Sequence, residues 1–218
     1  IFELSYLFDM GNRHDKALGT AVDYLEYLGT SDMTPEEVKA QFHQLGCSFY
    51  VSAGAERTRI SLSGLNENMP EAVALLEKLL ADAQVNKPAF NGMVNNILKS
   101  RANAKLNQSQ NFSRLTLYAQ WGPQNDATNL LSAKELMEMN PQDLVDRIHN
   151  LCTYKHRIIY YGPSNENDVL AMLDKEHRTP DTIKDVPASV EFKQQITDDT
   201  KVFLAPYEAK QIYMSQIS

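Results

Sequence analysis

The sequence predicts an α+β fold, a largely antiparallel β-sheet with helices packed on one of its faces. Three observations carry that prediction. Apolar residues recur with period two at residues 47–53 and again at 58–63, on either side of a short turn, which marks a hairpin with one packed face. Elsewhere they recur with helical spacing between explicit start and stop signals. The order of elements (strand, helix, helix, hairpin, two helices, connection, helix, strand, helix) is α+β rather than a strict alternation of β and α.

Each element has its own signal. Phe2, Leu4, Tyr6 and Phe8 make residues 1–10 a strand that ends at Gly11. From Asp15 to Leu28 the residues Ala17, Ala21, Val22, Leu25 and Leu28 share one helical arc, and Gly29 supplies a stop. Thr34-Pro35-Glu36-Glu37 is a capping box with proline at the first helical position, and its helix runs to about Gly46. The hairpin follows, with Cys47, Phe49, Val51 and Ala53 facing the same way as Thr58, Ile60 and Leu62. Asn68 and Pro70 open a helix carrying Val73, Leu76, Leu79 and Leu80, and Pro88 opens a long one reaching about Leu106. Residues 107–128 are polar and broken by Trp121-Gly122-Pro123, which predicts a short helix within a connection. Asn140-Pro141-Gln142-Asp143 caps a helix to about Leu151. Arg157–Tyr161 is a strand closed by Gly162-Pro163-Ser164, with a helix to about Lys175 beyond it. These elements make one domain over residues 1–178. Residues 179–190 are charged and proline-punctuated, a linker. In 191–218, Lys201–Leu204 and Gln211–Ile217 read as two strands, either the opening of a following domain or a tail returning onto this one.

Composition narrows the function classes. The 218 residues suffice for one substantial core, and the 43% apolar share is that of an ordinary globular domain. Net charge is −7, with 21 basic residues scattered among 28 acidic ones, which argues against nucleic acid or an anionic membrane as main partner. No apolar run is long enough for a membrane span. Ile1-Phe2-Glu3-Leu4 reads as strand interior and not as a signal peptide, so the chain is expected to be a piece of a longer protein. Cys47 and Cys152 form no metal-spaced pair and are expected to be buried thiols. His14, His43, His149, His156 and His177 are scattered and read as surface or helix-end residues. Ser61 and Ser63 lie in a strand and not in a nucleophile turn, and the dispersed glycines make no phosphate loop. Arg114 and Tyr118 are spaced as a cation–aromatic pair on one helix face, and Trp121 as a packing anchor.

Taken in order, these pieces resemble the insulinase/pitrilysin-type zinc metallopeptidases, the M16 family, and specifically their non-catalytic domains. The resemblance runs over residues 1–175. Its components are Phe8-Asp9-Met10-Gly11, the stretch from Tyr24 to Thr30, Thr34-Pro35-Glu36-Glu37, Leu45-Gly46, Ser61-Leu62-Ser63-Gly64-Leu65, and Arg157 to Pro163. The resemblance implies that the inverted zinc motif, His-x-x-Glu-His, would fall on Asp23-Tyr24-Leu25-Glu26-Tyr27. In active members the two histidines hold one metal from one helix face, the glutamate is the general base, and a later helix supplies a third ligand. Here the ligand positions read Asp23 and Tyr27, and only Glu26 matches. Neutral tyrosine is a poor ligand at its ordinary pKa. Between Asp82 and Asp126 there is no carboxylate at all, and the expected third-ligand helix reads Asn95-Asn96-Ile97-Leu98-Lys99-Ser100-Arg101, with Lys105 beyond.

Asp23, Glu26 and Tyr27 are therefore expected to be a vestige, with no catalytic, cofactor-binding or metal residue in this chain, and with Asp23 and Tyr27 on a solvated or cavity-facing polar side opposite Ala21, Leu25 and Leu28. The resemblance further implies that zinc belongs to a catalytic M16 half, on the same polypeptide or a partner subunit. The two halves would enclose a chamber in which peptides are cleaved, in a bacterial protein, with the periplasm as the favoured compartment. The alternative it leaves open is a purely structural protein, like the core subunits of the respiratory bc1 complex.

Overall fold

The computed structural model describes residues 1–196, 199–208 and 211–216. Its four strands are β1 (Phe2–Phe8), β2 (Cys47–Ala53), β3 (Thr58–Gly64) and β4 (His156–Tyr161), in the order β2-β3-β1-β4, every neighbouring pair antiparallel. The helices are α1 (Leu18–Leu25), α2 (Pro35–Gln44), α3 (Met69–Asp82), α4 (Lys87–Ala104), α5 (Gln108–Trp121), α6 (Ala133–Glu138), α7 (Pro141–Leu151) and α8 (Glu166–Glu176). This is the predicted α+β class, an antiparallel sheet with a helical layer.

Period-two patterning sets the register. Leu4 of β1 lies between Leu62 of β3 and Tyr160 of β4, and Tyr6 lies between Ile60 and Ile158. Leu4, Tyr6, Ile60 and Leu62 are completely buried. A slip of one residue would turn this whole set to the open side, so burial of one face specifies the pairing. The opposite face is thin and polar. The Ser5 and Ser61 hydroxyls meet at 2.9 Å, Arg59 Nε donates to Ser5 Oγ at 3.1 Å, and Tyr50 and Tyr161 are exposed.

The core lies between the sheet and the helices. Val73, Leu76 and Leu79 of α3 are completely buried, and Leu144, Val145, Ile148 and Leu151 of α7 and Leu18, Ala21, Val22 and Leu25 of α1 join them. The predicted capping box at Thr34 is formed, with Glu37 N donating to Thr34 Oγ1 and Thr34 N to Glu37 Oε2.

Several boundaries depart from expectation. The helix expected over 15–28 is only Leu18–Leu25. Asp15 accepts from the Ala17 N–H and holds the preceding residues in a turn, while Tyr27 N and Leu28 N donate to Tyr24 and Leu25, three residues back, so the helix tightens and ends. The helix after Asn107 is not short. Asn107 caps it at 3.0 Å from Gln110 N, and it runs 14 residues until Gly122, whose φ of 73° turns the chain away. α6 was not anticipated. Ser132 and Glu135 form a reciprocal capping box there, and Leu136 is completely buried. The strands expected at Lys201–Leu204 and Gln211–Ile217 are absent among the described residues, Ile217 itself lying outside them. Strand-like residues there pack on α5 and do not join the sheet. Phe203 meets Tyr118 at 5.9 Å, Tyr213 meets Phe112 at 5.6 Å, and Gln108 Nε2 donates to the Gln211 carbonyl at 2.7 Å.

Leu76→Ala is expected to cost about 2–5 kcal/mol, because it removes a fully buried side chain where α3 meets the sheet. Urea unfolding followed by circular dichroism measures it.

Candidate functional site

The stretch Asp23–Tyr27 occupies the last turn of α1 and the tightened turn after it, so its shape is set by what ends the helix. Tyr24 is the structural member. It is completely buried, its hydroxyl donates to the Asn86 carbonyl at 2.7 Å and accepts from Asn86 N at 2.9 Å, and its ring meets Phe90 edge-on at 5.8 Å. Asn86 Nδ2 also donates to the Tyr27 carbonyl at 3.1 Å, and Asn86 Oδ1 caps α4 through Ala89 N. One buried phenol thus ties the motif turn to the start of the helix that follows α3.

The three positions of interest point away from that anchor. Asp23 is exposed, Glu26 is half-buried, and Tyr27 is 41% exposed with Lys39 Nζ lying 5.7 Å from its ring centroid. Neither Asp23 nor Glu26 forms an ion pair among the described residues. Although the Asp23 residue reaches the surface, the atoms packed around its carboxyl remove part of its solvent, and this, followed by the neighbouring Glu26 charge, pushes its pKa up.

Among the described residues no three His, Cys, Asp or Glu side chains converge as a metal site. On α4, Asn95, Asn96 and Lys99 are exposed, and Arg101 Nη1 is committed to the Leu131 carbonyl at 2.6 Å. Beside α4 and α5 lies an open cleft of about 430 Å³, lined by Asn96, Lys99, Ser100, Asn103, Asn107 and Gln110 among others. Amides, a hydroxyl and an ammonium can hydrogen-bond a polypeptide backbone there, but they offer no carboxylate or imidazole for zinc or for base catalysis.

The remaining expectations divide. Cys47 is buried, Cys152 is half-buried, and both are free thiols. Burial, then the Glu77 charge, push the Cys152 thiol up to about 12, so it is inert as a nucleophile. Tyr118 does not pair with Arg114, which makes no cation–π contact among the described residues, and its ring meets Phe203 at 5.9 Å instead. Trp121 is half-buried at the end of α5. His149 Nε2 donates to the Ala83 carbonyl at 3.1 Å, a helix-end contact of the kind expected.

His156 and His177, expected as scattered surface or helix-end residues, are instead brought together, His177 from the end of α8. Their Nε2 atoms lie 2.9 Å apart, and His177 Nδ1 lies 2.6 Å from Glu77 Oε1, which also accepts from the Tyr6 hydroxyl at 2.7 Å. A signal for one of them was present. Extending the 157–161 strand by a single residue places His156 on the inward face with Ile158 and Tyr160.

Because its folded pKa is raised, the Asp23 carboxylate opposes folding once it ionises, and this cost is absent at low pH where it is protonated in both states. Asp23→Asn is therefore expected to raise the thermal midpoint at pH 7, with the gain fading as pH falls through the carboxylate range. Melting curves of both proteins from pH 3 to pH 8 check the sign.

No protein-family model matches the sequence, and no curated protein matches it significantly. Solved structures do resemble it. PqqL, a periplasmic protease from Escherichia coli, superposes with a TM-score of 0.72 at 11% identity, over 89% of this chain and 22% of that one. A protease from Helicobacter pylori gives 0.66 at 13% identity, over 89% and 49%. A peptidase M16 inactive domain from Pseudomonas fluorescens gives 0.66 at 17% identity, over 86% and 48%. The chain thus spans between 22% and 49% of these proteins' lengths. In its antiparallel sheet and helical layer the chain has the fold of the M16 peptidase domains, the inactive kind included.

Proposed function

We propose that this chain is a non-catalytic domain of an M16-type zinc metalloprotease, forming part of the wall of a chamber whose zinc is held by a separate catalytic half. The observation that carries the reading is the motif turn itself. The helix of an M16 domain is present, yet Asp23 and Tyr27 stand where histidines would, and α4 carries amides and cations in place of a carboxylate. A lone Glu26 has no metal-bound water to activate, so it cannot act as a general base.

In this reading residues 1–178 are the M16-like unit and 179–190 lead to 191–218, which begin a further domain or fold back. Zinc, general base and cleavage belong to the partner half, and this chain contributes surface. The amide-lined cleft at α4 and α5 suits contact with a peptide held in the chamber, since amide side chains can donate to and accept from a peptide backbone. A bacterial, exported parent protein fits the reading.

The purified chain is expected to carry far less than stoichiometric zinc by elemental analysis and to leave a fluorogenic peptide uncleaved. Mixed with a zinc-bearing half that has an intact His-x-x-Glu-His, it is expected to raise peptide turnover, and Glu26→Gln is expected to leave that gain unchanged. Zinc at one equivalent, or peptidase activity from the chain alone, overturns the proposal.

A further inference from the structure

The helical side of the sheet encloses a polar chain that the proposed chamber role does not use. It begins at the Tyr154 carbonyl, which lies 2.6 Å from His156 Nδ1. His156 Nε2 then faces His177 Nε2 at 2.9 Å, His177 Nδ1 faces Glu77 Oε1 at 2.6 Å, and the Tyr6 hydroxyl donates to the same oxygen at 2.7 Å. The His177 and Glu77 side chains are only 9% and 12% exposed, so water does not substitute for these partners. The rings of His156 and His177 stand perpendicular with centroids 5.0 Å apart.

Hydrogen-bond arithmetic admits one proton count. Both ends of the chain are acceptors, a backbone carbonyl and a carboxylate, so both Nδ1 atoms carry protons. Between the two Nε2 atoms there is room for one proton, donated by one ring and accepted by the other. The pair therefore holds three protons, one more than two neutral imidazoles, and Glu77 balances the single positive charge. A fourth proton would set two N–H groups head to head at 2.9 Å. Loss of the third would leave a lone pair facing a lone pair at one of the contacts.

We propose that His156 and His177 form a proton-counted latch that fastens the end of α8, and the segment after it, to the sheet, and that opens when acid adds the fourth proton. His177 is the residue directly after α8, its N–H donating to Leu173. From there the chain returns to the neighbourhood of His156, with Lys155 N donating to the Lys184 carbonyl at 2.9 Å and Lys184 N to Thr153 at 2.8 Å. The latch and this short ladder together close the loop of residues 177–184. The other groups facing the pair are Tyr6 of β1, Glu77 of α3, the Cys152 thiol after α7, and the Lys175–Glu176 pair beside His177. Of these only Glu77 offsets charge on the rings. Burial lowers the His156 pKa, in keeping with its being the ring that resists the extra proton. The sign follows. As pH falls below the unfolded histidine value, the unfolded chain takes up a proton that folded His156 refuses, so the latch weakens on the acid side.

The latch is independent of any role in a protease. Its test is amide hydrogen exchange on the 218-residue chain at pH 7 and pH 4.5, corrected for intrinsic rates, with ring nitrogens followed by nuclear magnetic resonance. Protection of the Lys155 and Lys184 amides is expected to fall about tenfold or more in the acid sample, a change worth one pK unit of coupling. In His177→Gln and in His156→Gln that pH-dependent loss is expected to vanish, and in His177→Gln the remaining His156 is expected to titrate at higher pH than in the parent. Equal protection at both pH values in the parent chain, or rings that carry one proton each at pH 7, overturns the latch. The parent chain's exchange and ring protonation decide the matter even where a variant fails to fold.

Discussion

Burial of one face of β1 is the constraint on which the rest of the structure depends. β1 is an inner strand, bonded to β3 on one side and β4 on the other, and Phe2, Leu4, Tyr6 and Phe8 all turn toward the helices. Those four side chains bring together a hairpin formed 40 residues later and a strand formed 150 residues later. Apolar burial is non-directional, so the alternation of the pleat is what converts it into a specific register. Tyr6 adds the one directional bond in the row, through its hydroxyl to Glu77 on α3.

Tyr24 plays the matching part for the motif turn. Its ring fills space against Phe90 while its hydroxyl both donates to and accepts from the Asn86 backbone. A buried hydroxyl that lost those partners would be costly, so the turn is held in place whatever its exposed neighbours are. The local fold of the turn therefore does not depend on which side chains stand at Asp23 and Tyr27. The geometry of the turn rests on the inward residue, and chemistry in an active domain would rest on the outward ones.

Charge follows the same division of labour. The loop after β1 is tied down by Arg13, whose guanidinium makes a two-pronged contact with Asp126 at 2.7 Å and reaches Glu56 at 2.8 Å, while its backbone carbonyl accepts from Val190. Phe192 stacks over the same guanidinium at 5.5 Å. These pairs are partly exposed and individually modest, and their role is to position loops over a core that apolar burial has already assembled. The His156–His177–Glu77 chain is different because it lies under the helices, where a proton too many or too few has no solvent to absorb it.

The amino-acid sequence by itself determined the fold class, the hairpin and the helix starts at Thr34 and Asn140, because each is written in local spacing. Period two, period 3.6, capping boxes and residue identity at Asp23, Tyr27 and Asn95–Arg101 need no knowledge of distant contacts. Tertiary structure decided what depends on residues far apart in the chain. It ended α1 at Leu25, since that turn is held by Asn86. It left residues 199–208 and 211–216 without strands, their aromatic side chains packing on α5 and not joining the sheet. It also joined His156 to His177 and Glu77, separated by 21 and 100 residues from His177 respectively. No local pattern encodes a contact of that kind, because the partners meet only once the sheet and the helical layer have closed over them.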